Sequence, residues 1–137
     1  MKKKILSIKL KAFTLAELLV VLCIIGILVL LALPNLMPLI SKAKGTEAKL
    51  QLEHLRTLEK TYFYIHSKYT NDLKELGFEQ SKLIPEGGDA NYKIDVKEVG
   101  PNSFRATATS VADFDGDGTY NVWEINQENN LTELTPD

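Results

Sequence analysis

Apolar positions are spread unevenly along the chain. They run almost unbroken from Leu18 to Leu33, fall into a three-four rhythm from Leu52 to Tyr69, and alternate with polar positions from Tyr92 onward. Each rhythm predicts a different element. No polar side chain interrupts Leu18 to Leu33, and Leu36, Met37, Leu39 and Ile40 prolong the run with only Asn35 and two prolines between them. About twenty such residues cross a bilayer as a helix, so residues 13–40 are expected to span a membrane. Beyond Ser41 the chain turns polar, and Leu52, Leu55, Leu58, Tyr62, Ile65 and Tyr69 mark one face of an amphipathic helix over residues 41–69. Together the two segments predict a spine from about Phe13 to His66, on the order of 80 Å at 1.5 Å per residue.

The apolar stripe of that spine needs a cover, which the remaining residues, 70–137, are expected to supply. In "TNDLKELGF", Thr70 or Asn71 is placed to cap a short helix that Gly77 ends. Tyr92, Ile94 and Val96 alternate with Lys93, Asp95 and Lys97, and Phe104, Ala106 and Ala108 alternate with Arg105, Thr107 and Thr109. Period two with one apolar face predicts antiparallel strands at Tyr92–Val99 and Phe104–Val111, joined at "GPNS". Further strands are expected at Asn121–Asn126 and Leu131–Leu134. The fold class predicted is therefore α+β, a long N-terminal helix packed against a small antiparallel sheet.

Charge adds an orientation. Lys2, Lys3, Lys4, Lys9 and Lys11 precede the apolar run with no acid among them. Setting those five aside leaves 11 of the 16 basic residues against 18 acidic ones, so the chain after Lys11 carries −7 where the whole carries −2. Uncompensated lysines hold the N-terminal end in the cytoplasm and send the head across the membrane, and an acidic head is a poor partner for nucleic acid. The single cysteine, Cys23, lies inside the apolar run, so no intramolecular disulfide can staple the head. No small-residue cleavage site follows the apolar core, where Pro34, Asn35 and Leu36 stand. The more unusual break lies in front of it, where the basic stretch ends and "AFTLAELLVVLCIIGILVLLALP" begins.

That junction resembles the N-terminus of type IV pilins and of the pseudopilins of type II secretion: a basic leader, a small residue, then Phe-Thr-Leu-x-Glu-Leu and a long apolar helix. The resemblance implies a pilin-like fold in which residues 1–12 are a leader. A prepilin peptidase would cut between Ala12 and Phe13 and methylate the new Phe13 amine. Ala12 stands where the family usually has Gly, and Ala16 where it has a larger aliphatic residue. The motif also gives Glu17 a reason to stand in grease. A charge deep in a bilayer costs about 2.5–3.5 kcal/mol, and a carboxylate in an apolar filament core is neutralised by the Phe13 amine of a neighbouring subunit in only one axial register. The competing reading is that Glu17 reaches to the headgroups. Gly26 and Pro34 match positions between which the helix of assembled filaments is often unwound, since glycine loosens a helix and proline removes a backbone bond. Pro38 reads equally as a simple kink.

The head carries one further cluster. "DFDGDGTYNVWE" sets Asp113, Asp115, Asp117, Asn121 and Glu124 at loop positions one, three, five, nine and twelve, with Gly118 at six and the Thr119 carbonyl at seven. This spacing fits a Ca2+ loop over residues 113–124, flanked by strands where an EF-hand has helices. The alternative is an Asp-Gly turn in a solvated acidic patch. His54 and His66 read as solvated helix positions, Cys23 as a filler of the apolar helix and Trp123 as core of the head. No phosphate loop, nucleophile with its base, or zinc set is present in the sequence, and no enzymatic role is expected.

The function expected from these features is structural. The chain would be a pilin or major pseudopilin, single-pass in the inner membrane with a periplasmic head. Assembly platform and motor proteins would draw it into a homo-oligomeric helical filament, in the periplasm or on the cell surface, serving a type IV pilus or type II protein secretion. The alternative is a calcium-binding membrane anchor or adhesin that never polymerises.

Overall fold

A computed structural model describes residues 12–137. Helix α1 occupies Leu15–His66, and Gly26, Pro34 and Pro38 all lie within it. The chain divides after Asn35 into two units.

In the first, every residue from Leu18 to Leu33 is exposed. By length and composition α1 is apolar enough to cross a membrane, and nothing among the described residues buries this surface.

In the second unit the remainder of α1 packs against a four-stranded sheet made of β1 (Tyr92–Val99), β2 (Phe104–Ser110), β3 (Val122–Asn126) and β4 (Leu131–Thr135). The strands follow one another in space in chain order, each antiparallel to the next. The expected α+β class is therefore what the chain adopts. The buried face of α1 is Ser41, Gly45, Ala48, Leu52, Leu55 and Glu59, steps of four and three that keep one side of a 3.6-residue helix on the sheet. Only its leucines were visible as a stripe, because the N-terminal part of that face is built from small residues. Tyr92, Ile94, Phe104, Ala106, Ala108 and Ile125 meet Ala48, Leu52 and Leu55 in one core. The alternation read from the sequence is kept: Ile94 lies opposite Ala108 and Ala106 opposite Ile125 on the inner face. On the outer face Asp95 sits within 3.9 Å of Lys93 and 3.5 Å of Lys97, while Arg105 lies between Glu98 and Glu124. Such exposed pairs contribute about 0–1 kcal/mol each, so the core holds the sheet in place.

Three local expectations are corrected. Ile65 is exposed, not part of the buried stripe, because the helix ends one residue later and the chain reverses at Ser67, whose φ is 55°. Tyr69 then folds back off the helix, its ring 4.7 Å from Phe63 and 5.0 Å from Phe104. The short helix expected after Thr70 is a hydrogen-bonded turn. Asp72, not Thr70 or Asn71, caps it, accepting the Lys74 and Glu75 N–H groups at 2.8 and 3.4 Å, and Gly77 ends it at φ 72°. A 3-10 turn at Ile84–Glu86 interrupts the following loop. Glu47 of α1 ties that loop down, accepting the backbone and side-chain N–H groups of Asn91 at 2.8 and 2.7 Å.

Candidate functional site

Two places carry the chemistry singled out in the sequence. At the first, Ala12, Phe13 and Thr14 lead into α1, with Phe13 82% exposed. The remainder of the leader expected at residues 1–12 lies outside the described residues. Thr14 donates its N–H and its hydroxyl to Glu17 Oε2, at 2.7 and 2.9 Å, and Thr14 Oγ1 accepts the Glu17 N–H at 3.2 Å. This is a reciprocal cap of the Thr-x-x-Glu type, which satisfies donors the first helical turn would otherwise leave open. Glu17 is thus not bare within a single copy, because Thr14 holds its carboxylate close to the positive end of the helix dipole. The Thr-x-x-Glu spacing in "TLAE" is a sequence signal for this cap. The amine that cleavage would create belongs to Phe13, the residue directly before Thr14.

At the second place, the loop between β2 and β3, Asp113, Asp115 and Asp117 each bring a carboxylate oxygen within 4.8 Å of the others. Backbone donors shape the loop. Asp113 accepts the N–H groups of Gly116 and Gly118 at 2.6 and 2.7 Å, Asp115 that of Asp117 at 3.0 Å, and Asp117 that of Thr119 at 2.6 Å. Gly116 and Gly118 take φ of 82° and 88°, which L side chains resist. A fourth carboxylate arrives from far along the chain: Asp137 accepts the Phe114 and Asp115 N–H groups at 3.1 and 3.2 Å. No local signal in the sequence joins Asp137 to this loop.

The electrostatics are uneven. The Gly118 N–H bond, above all, holds the Asp113 carboxyl below the usual carboxylate range. Asp115 gains from the Asp117 N–H, but partial desolvation and then the charges of Asp117, Asp137 and Asp113 prevail and push it up. Crowded anions with oxygen-only donors suit a hard cation, and the three aspartates fit that requirement. Two other expected ligands are placed elsewhere. Asn121 is buried, accepting the Tyr92 hydroxyl at 2.7 Å and donating to Glu133 Oε1 and the Thr135 carbonyl at 2.7 and 3.0 Å. Glu124 lies in β3, paired to Thr107 in the ladder with Oε1 3.6 Å from Arg105 Nε. Sheet pairing has taken over from loop curvature there, since Asn121 already accepts the Ser110 N–H at 2.8 Å. Thr119 stays next to the aspartates through its bond to Asp117. His54 and His66 are exposed, and Trp123 packs on the core.

No protein-family model matches the chain. The type IV major pilin protein PilA of Myxococcus xanthus (strain DK1622) is 40% identical to it over 85 residues. The resemblance to type IV pilins is thereby shown. The match takes in 61% of this chain and 36% of that pilin, so the chain spans well under two thirds of its pilin relative.

Proposed function

We propose that this chain is a structural, non-enzymatic subunit of a type IV filament. One observation carries the reading: a long exposed apolar helix surface opens on a single acid, Glu17, one helical turn from the proposed cleavage junction at Ala12 and Phe13. The likeness to a type IV major pilin supports it. Before assembly, residues 13–40 hold the subunit in the inner membrane with the head in the periplasm, as the lysines at positions 2–11 direct. A prepilin peptidase cuts before Phe13 and methylates its amine. Platform and motor proteins then move the subunit into a homo-oligomeric filament, where the apolar surfaces cover one another and Glu17 meets the Phe13 amine of the next copy. Gly26 and Pro34 lower the cost of unwinding the intervening helix in that packing. The filament is a surface pilus or a periplasmic pseudopilus of protein secretion.

The acidic loop fits Ca2+, held by Asp113, Asp115 and Asp117 with the Thr119 carbonyl, which would neutralise their repulsion and stiffen the connection from β2 to β3. A calcium-binding anchor or adhesin that never polymerises shares this loop, and the N-terminus separates the two readings. Purified mature protein should begin at a methylated Phe13, and Glu17→Ala should abolish sheared filaments while the subunit still accumulates in the membrane. An intact Met1, or normal filaments from the variant, would overturn the filament reading.

A further inference from the structure

Near the C-terminal end of α1, a carboxyl is buried with too few partners. Glu59 is fully buried. Its Oε2 accepts the Thr70 N–H at 3.3 Å, and its Oε1 has no hydrogen-bond partner. Arg56, one turn earlier, also has a buried Nε without a partner, and no ion pair joins the two among the described residues. Placing Glu59 here rather than a leucine costs free energy whenever the group is ionised, because a buried carboxylate needs its lone pairs filled.

The group that reaches Glu59 belongs to a distinct segment, residues 67–78, bounded by the two left-handed positions Ser67 and Gly77 (φ 55° and 72°). This strap is knitted to itself and to α1. Thr70 Oγ1 and the Tyr62 hydroxyl both donate to Glu75 Oε2, at 3.1 and 3.0 Å. Its apolar side chains Tyr69, Leu73, Leu76 and Phe78 join the core. The Thr70 N–H bond to Glu59 is therefore the point where the strap is pinned to an otherwise unsatisfied acid.

We propose that Glu59 is a protonation latch: its neutral carboxyl keeps residues 67–78 clamped on α1, and opening of the strap lets the carboxyl ionise into water. Desolvation, opposed by the Thr70 N–H, pushes the closed-state carboxyl up to about 7 from an ordinary 4.5. The other titratable groups at the seam are Arg56, Tyr62 and His66 on α1 and Tyr69 and Glu75 on the strap. Burial raises both tyrosine hydroxyls, Tyr62 with help from Glu75, so they stay neutral where Glu59 titrates. From the sheet the neighbour of Tyr69 is the apolar Phe104, and Arg105 is engaged by Glu98 and Glu124. His66 is the histidine of the seam, its ring 4.2 Å from that of Tyr62.

The sign follows from the raised value. Clamping is complete below the open-state pKa and is lost as pH rises through the closed-state one, so opening grows about tenfold per pH unit between the two and then levels. The test is amide hydrogen exchange of the full chain in detergent micelles from pH 5 to 8.5, corrected for intrinsic exchange. Protection of residues 67–78 should fall about 40-fold from pH 5 to 7 while that of Ala48–Leu55 holds. Glu59→Gln, which keeps the shape of the neutral acid, should flatten the profile, and His66→Gln should leave it. Wild-type protection that does not vary, a profile that still falls in Glu59→Gln, or loss of the fall in His66→Gln each overturns the proposal. Should Glu59→Gln fail to fold, the carboxyl carbon of Glu59 in the wild type decides, since a titration midpoint near 4.5 is equally fatal.

Discussion

Gly45 of α1 faces Trp123 of β3 so closely that a Cβ on Gly45 would lie 3.4 Å from Trp123 Nε1. Lys49, one turn on, holds its Nζ 4.3 Å from the centre of the same ring. The indole thus lies along the helix where no side chain intervenes, and its polar edge is buried without a partner. Alanine at 45 meets the ring at ordinary contact and gains helix propensity of about 1 kcal/mol, so Gly45→Ala should be neutral or mildly stabilising. Gly45→Leu has to displace the indole and should cost about 1–3 kcal/mol. Urea unfolding followed by the fluorescence of Trp123, the chain's single tryptophan, reads both the stability and the displaced ring. Equal stabilities for the two variants would show that the ring does not rest on the helix.

The hydrogen-bonded chain from buried Tyr92 through buried Asn121 to exposed Glu133 predicts a sharp contrast between two small changes. Tyr92→Phe removes one hydroxyl and leaves the Asn121 oxygen unpaired, at a cost of about 1–3 kcal/mol. Asn121→Asp replaces two donated hydrogen bonds with a carboxylate aimed at Glu133 and the Thr135 carbonyl, so its loss should exceed that of Tyr92→Phe at neutral pH and shrink in acid, where the aspartate protonates. Denaturant midpoints at pH 7 and pH 4 check the order. If Asn121 were a metal ligand instead, Asn121→Asp would improve calcium binding without loss of stability.

What the sequence displayed and what it hid divide along the range of the interactions involved. Helix extent, strand alternation and the three converging aspartates depend on residues a few positions apart, and local spacing reports them faithfully. The buried face of α1 at Ser41, Gly45 and Ala48 looked polar or neutral, because what matters there is small size opposite Trp123 and the alanines of β2. Asn121 and Glu124 followed a loop spacing, yet the sheet register claimed both, one for Tyr92 and the other for the outer face beside Arg105. Asp137 reaches the loop, and Glu59 the strap, only through the fold, so no local pattern could reveal either. The Thr14–Glu17 cap is different: its signature was present, and the apolar setting drew attention to the charge of Glu17 instead of its spacing from Thr14.

The acidic loop gives a prediction that distinguishes its carboxylates. For the full chain in detergent, calcium at a hundred times its Kd should add about 2.7 kcal/mol of stability, removable with chelator. Asp115→Asn should weaken this response while leaving the metal-free protein intact or slightly firmer, because it removes a charge its neighbours repel. Asp113→Asn should harm both states, since Asp113 also holds the Gly116 and Gly118 N–H groups. Glu124→Gln, standing apart in β3, should leave the response unchanged. Thermal melts with calcium and with chelator measure all three, and a wild-type melt indifferent to both conditions would leave an acidic turn with no cation role.

Glu17 has two duties on this account, capping α1 through Thr14 and supplying charge to a neighbouring copy, and a pair of substitutions separates them. Thr14→Val removes the hydroxyl from the cap, at about 1 kcal/mol to the start of the helix, but leaves the carboxylate free to meet a partner amine. Glu17→Gln does the reverse, because glutamine closes the same kind of cap and carries no charge. If the charge sets axial register, filaments should persist in Thr14→Val, somewhat reduced, and should be lost in Glu17→Gln although the subunit accumulates normally. Sheared-filament yield against membrane-held subunit gives the ratio for each variant. The opposite ranking, with glutamine tolerated and valine not, would mean that the acid serves its own helix and that subunit register is set by the apolar surfaces alone.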